Sequence, residues 1–158
     1  MEMKKILLLA TIFGTLLISC NNKAKVNTEI PVAPTPPVTE TLGNKCYLSL
    51  VDNDTVSMQL NINVNNEVNG KLTYIPYQKD KNEGTIVGNI KGDTLIADYT
   101  FTSEGKSSIR EVVFLKKDAR YIEGYGTTLE SNGKKVFTDK TKLKFDGKTI
   151  FNEVDCIE

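Results

Sequence analysis

The 158-residue sequence has no histidine and no tryptophan, and it has no excess of either charge, since 20 Lys plus Arg are matched by 20 Asp plus Glu. Without histidine, the commonest general base, the commonest transition-metal ligand and every Ser-His or Cys-His nucleophile system are excluded. The balanced charge removes the long-range attraction that nucleic-acid binders rely on, so no nucleic acid is expected as a partner. Aromatic residues make up 8% of the chain, too few for the crowded stacking platforms of carbohydrate or single-stranded nucleic-acid binders. A glycine-rich phosphate loop, a nucleophile elbow and a cysteine-histidine metal pattern are absent too. Asp80, Asn82 and Glu83 before Gly84 share residue types with a calcium loop, but the glycine comes one position early and the terminal bidentate Glu is missing. The chain is therefore read as not an enzyme, with no cofactor and no metal.

What is present starts with the one long apolar run. Lys4 and Lys5 precede a stretch from Ile6 to Ile18, which ends at Ser19-Cys20 and gives way to Asn21, Asn22 and Lys23. A membrane-spanning helix needs roughly 20 apolar residues to cross about 30 Å of hydrocarbon, so this shorter stretch reads as a signal peptide. Leu17-Ile18-Ser19-Cys20 resembles the lipobox of bacterial lipoproteins, in which small residues precede the cysteine that receives a diacylglycerol thioether before cleavage. The resemblance implies that residues 1–19 are removed and that Cys20 becomes the lipidated N-terminus. Acyl chains such as palmitate then hold it to the membrane, at about 0.8 kcal/mol per buried CH₂. Asn21 stands where an Asp is the usual inner-membrane retention signal of enteric lipoproteins, so the resemblance favours the outer membrane of the cell envelope.

Residues 20–43 read as a tether. Pro31, Pro34, Pro36 and Pro37 cluster among polar residues, Val and Ala, with no helical or strand period. Such a segment favours extended polyproline II at about 3.1 Å per residue, a spacer between bilayer and domain.

Residues 44–158 read as the folded domain. With Cys20 lipidated, Cys46 and Cys156 are the one remaining pair, and in an oxidising compartment they are expected to form a disulfide. That bond would set the first and last strands side by side, as barrel closure requires. Val56, Met58, Leu60, Ile62 and Val64 alternate with Ser57, Gln59, Asn61 and Asn63, the period of a half-buried strand. Turn sequences at Asp52-Asn53-Asp54, Asn65-Asn66-Glu67, Lys91-Gly92-Asp93, Ser103–Lys106, Lys116–Asp118 and Ser131–Gly133 divide the rest into hairpin-sized strands. The further strands expected are Cys46–Val51, Val68–Tyr77, Gly84–Lys91, Thr94–Thr102, Ser108–Lys116, Arg120–Thr128, Lys134–Asp139 and Lys142–Phe145. Another is expected near Ile150, where a short helical turn over Gly147–Asn152 is the alternative. The fold class is thus all-β: one antiparallel up-and-down meander of about eight strands, closed into a barrel and stapled by the disulfide. Gly70, Gly88 and Gly124 fall inside strand patterns and are expected at barrel corners or close backbone approaches.

The stretch from Gly92 to Phe114 is the most distinctive. Arg110 shares one side of its strand with Val112 and Phe114, and Glu111 shares the other with Ile109, Val113 and Leu115, so one of the two charges lies on an apolar face. Asp98 or Glu104 is the simplest partner for Arg110 across the hairpin. Either this is a structural salt bridge, or it is a ligand-orienting polar cluster at the barrel mouth with Tyr74, Tyr99 and Tyr125 nearby. On the second reading the ligand-binding residues are Tyr74, Tyr77, Tyr99, Arg110 and Glu111. The domain resembles small lipocalin-like or lysozyme-inhibitor-like envelope barrels. The resemblance implies a non-enzymatic binding or accessory module whose partner is a small apolar ligand or another envelope protein. The alternatives are a protein inhibitor of the lysozyme-inhibitor kind and a purely structural envelope component. Those inhibitors use a Ser-Gly-x-x-Tyr loop, which Ser103-Glu104-Gly105 does not match.

Overall fold

The computed structural model describes residues 41–157. The expected leader, Cys20 and the expected tether up to residue 40 lie outside the described residues. Ten strands follow in order: β1 Thr41–Val51, β2 Asp54–Asn63, β3 Glu67–Ile75, β4 Asn82–Lys91, β5 Thr94–Ser103, β6 Lys106–Lys117, β7 Arg120–Glu123, β8 Thr128–Ser131, β9 Lys134–Phe137 and β10 Ile150–Val154. Strand β1 begins at Thr41 and is bulged before Asn44, so its first residues belong to the segment read from sequence as tether.

Eight of these strands close a ring in which each neighbour is antiparallel: β1 to β7 in meander order, then β10, which returns to pair with β1. Pairing along the meander follows from the turns. Glu104-Gly105 and Asn132-Gly133 both take positive φ at two successive residues, the twist that tight hairpins require. At the β2–β3 turn, Asn63 Oδ1 accepts from the backbone N–H of Asn65 and Glu67. Each expected turn connects two strands.

Closure rests on the two ends of the described domain. Cys46 lies opposite Val154 in the β1–β10 register, and Cys46 and Cys156 form a disulfide with Cα atoms 5.2 Å apart. A cross-link over roughly 100 residues stabilises by as much as ~4.7 kcal/mol through loss of chain entropy in the unfolded state.

Alternate residues of each ring strand point inward, and the inward set is large and apolar. Met58, Leu60, Val68, Leu72, Ile86, Leu95, Tyr99, Phe114, Tyr121 and Phe151 are all essentially inaccessible to water. Each such aliphatic side chain contributes about 1.5–3 kcal/mol by leaving water. Tyr47 meets Tyr121 edge to face at 5.1 Å between ring centroids, and Phe114 meets Phe151 likewise at 5.5 Å. The barrel axis is thus occupied by side chains. Room for them is made by the inward glycines: a Cβ on Gly70 would lie 2.0 Å from the Gln59 carbonyl oxygen, and one on Gly88 2.1 Å from that of Ile96. Backbone passes backbone there, as expected of corner glycines. Gly124 differs, because the ring of Phe145 packs where its Cβ would stand, 2.7 Å away.

The second half departs from a plain meander. The expected strand Arg120–Thr128 stops at Glu123, and the chain leaves the ring until Thr149. In between, β8 and β9 form a hairpin that hangs on β6 through a short parallel pairing, Ile109 with Lys134 and Arg110 with Lys135. The expected strand Lys142–Phe145 is reduced to one bridge, Tyr125 with Lys144. A 3-10 turn occupies Lys140–Lys142, with the Asp139 carboxylate accepting from the Thr141 N–H. The alternative helical turn near Gly147–Asn152 is replaced by β10. Hydrophobic alternation cannot distinguish a ring strand from one lying outside the ring, since both bury one face.

Candidate functional site

The polar part of the interior gathers at one end of the barrel. Tyr74 is the last inward residue of β3, Tyr99 and Phe101 lie toward the end of β5, Arg110 precedes the buried inward residues of β6, and Glu123 ends β7. Strand parity explains Arg110: Val112 and Phe114 point inward, so the residue two places before them does too. Its guanidinium carbon lies 4.8 Å from the centroid of the Tyr74 ring, 5.3 Å from that of Tyr99 and 5.5 Å from that of Phe101. The rings of Tyr99 and Phe101 are stacked at 4.7 Å. A cation held against three ring faces gains cation–π attraction, which strengthens as water is excluded.

Glu123 is buried, and its two carboxylate oxygens accept hydrogen bonds from phenols, Oε1 from Tyr74 at 2.7 Å and Oε2 from Tyr125 at 2.9 Å. With the Tyr125 proton committed to Glu123, the Thr149 hydroxyl donates to Tyr125 Oη at 2.6 Å. The phenols respond to this setting. Burial, followed by the Glu123 charge, holds Tyr74 well above its ordinary value, with Arg110 acting in the opposite sense. Burial likewise pushes Tyr99 and Tyr125 up to about 12. They remain neutral donors throughout the physiological range.

Arg110 itself forms no ion pair among the described residues. Its Nε is buried and finds no hydrogen-bond partner. The pairing expected with Asp98 or Glu104 does not occur. Asp98 faces outward, because Tyr99 takes the inward position, and pairs there with Lys134; Glu104 sits in the β5–β6 turn with positive φ. Two clefts open against Arg110. One, of about 180 Å³, runs between β6 and the chain leaving β7, past Glu123, Tyr125 and Phe137. The other, of about 310 Å³, lies at the rim and is lined by Phe101, Ser107, Ser108, Glu130 and Lys135 as well.

Of the residues singled out from sequence, Tyr74, Tyr99 and Arg110 come together, and Tyr125 joins them through Glu123. Tyr77 does not, and Glu111 lines the smaller cleft beside Arg110 without sharing its inward face. Since Arg110 points in, Glu111 points out, where the segment after β9 covers it: Oε2 accepts from the Phe137 N–H and Oε1 meets Lys140 Nζ, both at 3.1 Å. Tyr77 follows Pro76, which has no N–H to continue β3. It is exposed in the next turn, with its own N–H donating to Asp54 Oδ1. Sequence reasoning missed Phe101, Glu123 and Thr149. The alternation of Tyr121 and Glu123 along one face was the available signal for Glu123; nothing in the sequence pointed to Thr149. Among the described residues no group of three or more His, Cys, Asp or Glu is arranged to hold a metal ion. Comparison with protein-family models, with curated proteins and with solved structures finds no match for this chain.

Proposed function

We propose that the chain is a lipid-anchored envelope protein, held in the outer membrane through Cys20, whose barrel is a non-enzymatic binding or accessory module working at its mouth. The observation that carries the reading is the state of Arg110: a cation pressed against three rings, with a buried donor unsatisfied and two clefts opening on it. Interior charges that serve stability alone are normally hydrogen-bonded throughout, as buried Glu123 in the same cleft is at both carboxylate oxygens. The filled axis directs binding to the rim rather than to the lumen. Arg110→Ala tests this by ligand-induced thermal shift and native mass spectrometry on the full chain. The expected result is a fold that persists with ligand response abolished; a large stability loss with ligand response intact would sink the mouth as a binding site. For the anchor, Cys20→Ala is expected to abolish labelling by palmitate and to release the chain from the membrane fraction.

A second reading, a protein inhibitor of an envelope enzyme, is favoured by the filled core together with the segment from Gly124 to Thr149. That segment adds a projecting hairpin to one side of the ring. Capture of a partner enzyme that survives Arg110→Ala but is lost on shortening the β8–β9 hairpin would select it.

A further inference from the structure

Four basic residues surround the junction of β6 and β9, and they divide by face. Lys134 and Lys140 lie outside the barrel, each neutralised by an acid, Asp98 and Glu111. Arg110 and Lys135 are register partners across the parallel β6–β9 pairing. Because Lys134 reaches outward to Asp98, its neighbour Lys135 must rise on the inner side with Arg110. Neither Arg110 nor Lys135 forms an ion pair among the described residues. Glu130 stands opposite Lys135 in the β8–β9 register without forming an ion pair with it. Like charges at facing positions destabilise a sheet, so two inner cations set against this one carboxylate favour an anion from outside the chain.

We propose that the mouth takes a singly charged organic carboxylate, with Arg110 as its principal partner and Lys135 as the second cation. This rests on the reading of the mouth as a binding site. Charge selects the class. The rim cleft is lined by Arg110, Lys135 and one carboxylate, Glu130, which leaves one net positive charge. A monoanion balances it, while a doubly charged phosphate would be repelled by Glu130. The guanidinium presents its donors in a planar fork that matches a carboxylate. Shape selects the body: the cleft measures about 310 Å³, at the small end for organic ligands, and Phe101 adds apolar lining beside the cation. The ligand is therefore a compact acid with a flat or apolar body.

The test titrates the full chain in detergent with benzoate, with benzamide as its uncharged isostere, and with inorganic phosphate, following thermal shift and amide NMR. Benzoate is expected to bind, with perturbations centred on Phe101, Arg110 and Lys135, while the other two bind at least tenfold more weakly. Arg110→Gln should weaken benzoate about tenfold or more. Lys135→Gln alters an exposed residue and keeps the fold, and should weaken it less. Glu130→Gln should strengthen it and admit phosphate. Equal binding of benzamide, preference for phosphate in the wild type, or no effect of Lys135→Gln and Glu130→Gln overturns the carboxylate assignment. Benzamide binding that Arg110→Gln abolishes would leave the mouth a binding site of another specificity. No response at the mouth to any of the three overturns this proposal, and loss of the mouth as a binding site requires in addition that Arg110→Ala leave all ligand responses unchanged.

Discussion

Strands β1 to β5 run nine to eleven residues each, whereas β7 to β10 run four or five. The long strands face the axis chiefly with Met58, Leu60, Val68, Leu72, Ile86 and Leu95, and all but β3 and β4 are linked by turns of two or three residues. The short ones bring Glu123 and Thr149 into buried positions, let the chain leave the ring between them, and hand part of the β6 edge to β9. One half thus supplies a rigid apolar wall. The other interrupts it to create clefts lined with charge. Polar side chains gather where regular pairing ends, because only there can one be inside the barrel and still meet something from outside.

The largest expected effect crosses the boundary between the halves. Tyr47 and Tyr99 belong to the long-strand half, Tyr125 to the other, and burial pushes all three up to about 12. A phenol with a raised folded-state value binds its proton more tightly when folded, so its contribution is complete below the unfolded value near 10 and is lost as pH rises toward about 12. For fully buried Tyr47 and Tyr99, at about 1.4 kcal/mol per unit, the loss is on the order of 5 kcal/mol. Tyrosinate absorbance and circular dichroism followed from below pH 10 to above pH 12 should show ionisation coinciding with unfolding; phenols that ionise while the barrel stays intact would contradict it.

Next in size is the cross-link. Replacing Cys46 and Cys156 by Ser should cost up to ~4.7 kcal/mol, and hydrogen exchange should rise first at β10 and β1 rather than at β3 to β5. Uniform exchange would erase the distinction between the halves. Leu60→Ala, in the apolar wall, should cost about 2–5 kcal/mol by lost burial and an unfilled cavity, read as a lower denaturation midpoint with an unchanged slope. Tyr74→Phe removes one of the two phenol donors to buried Glu123 and should cost roughly 2 kcal/mol. The smallest change is Lys140→Ala, which frees Glu111 of a half-exposed partner. Below about 1 kcal/mol is expected, measured against Glu111→Gln in a double-mutant cycle.

Legibility followed the same division. Alternation from Val56 to Ile62 announced β2, and the Asn-, Asp- and Gly-bearing turns announced the hairpins, because side-chain period and turn conformation are local properties. The cysteines at the two ends of the domain predicted closure correctly. Beyond Glu123 the local signal found β9, the turn before it and β10, but not which of them join the ring. Lys134–Phe137 is a strand as the pattern says, but outside the ring; Lys142–Phe145 has the pattern without the pairing. For Arg110 and Glu111 the alternation required opposite faces, and the sequence alone left open which charge was inside.

What the amino-acid order determined by itself is the all-β class, the succession of hairpins through β6 and the pair of thiols, each set by residues adjacent in the chain or by elimination. Tertiary structure alone decided that β8 and β9 lie outside the ring, and that Tyr74, Phe101, Arg110, Glu123 and Tyr125 share one mouth. It also decided that Asp98 serves Lys134 instead of Arg110. Those outcomes depend on which strand edges are free and which faces are covered once the ring has formed, quantities that no local stretch of sequence contains.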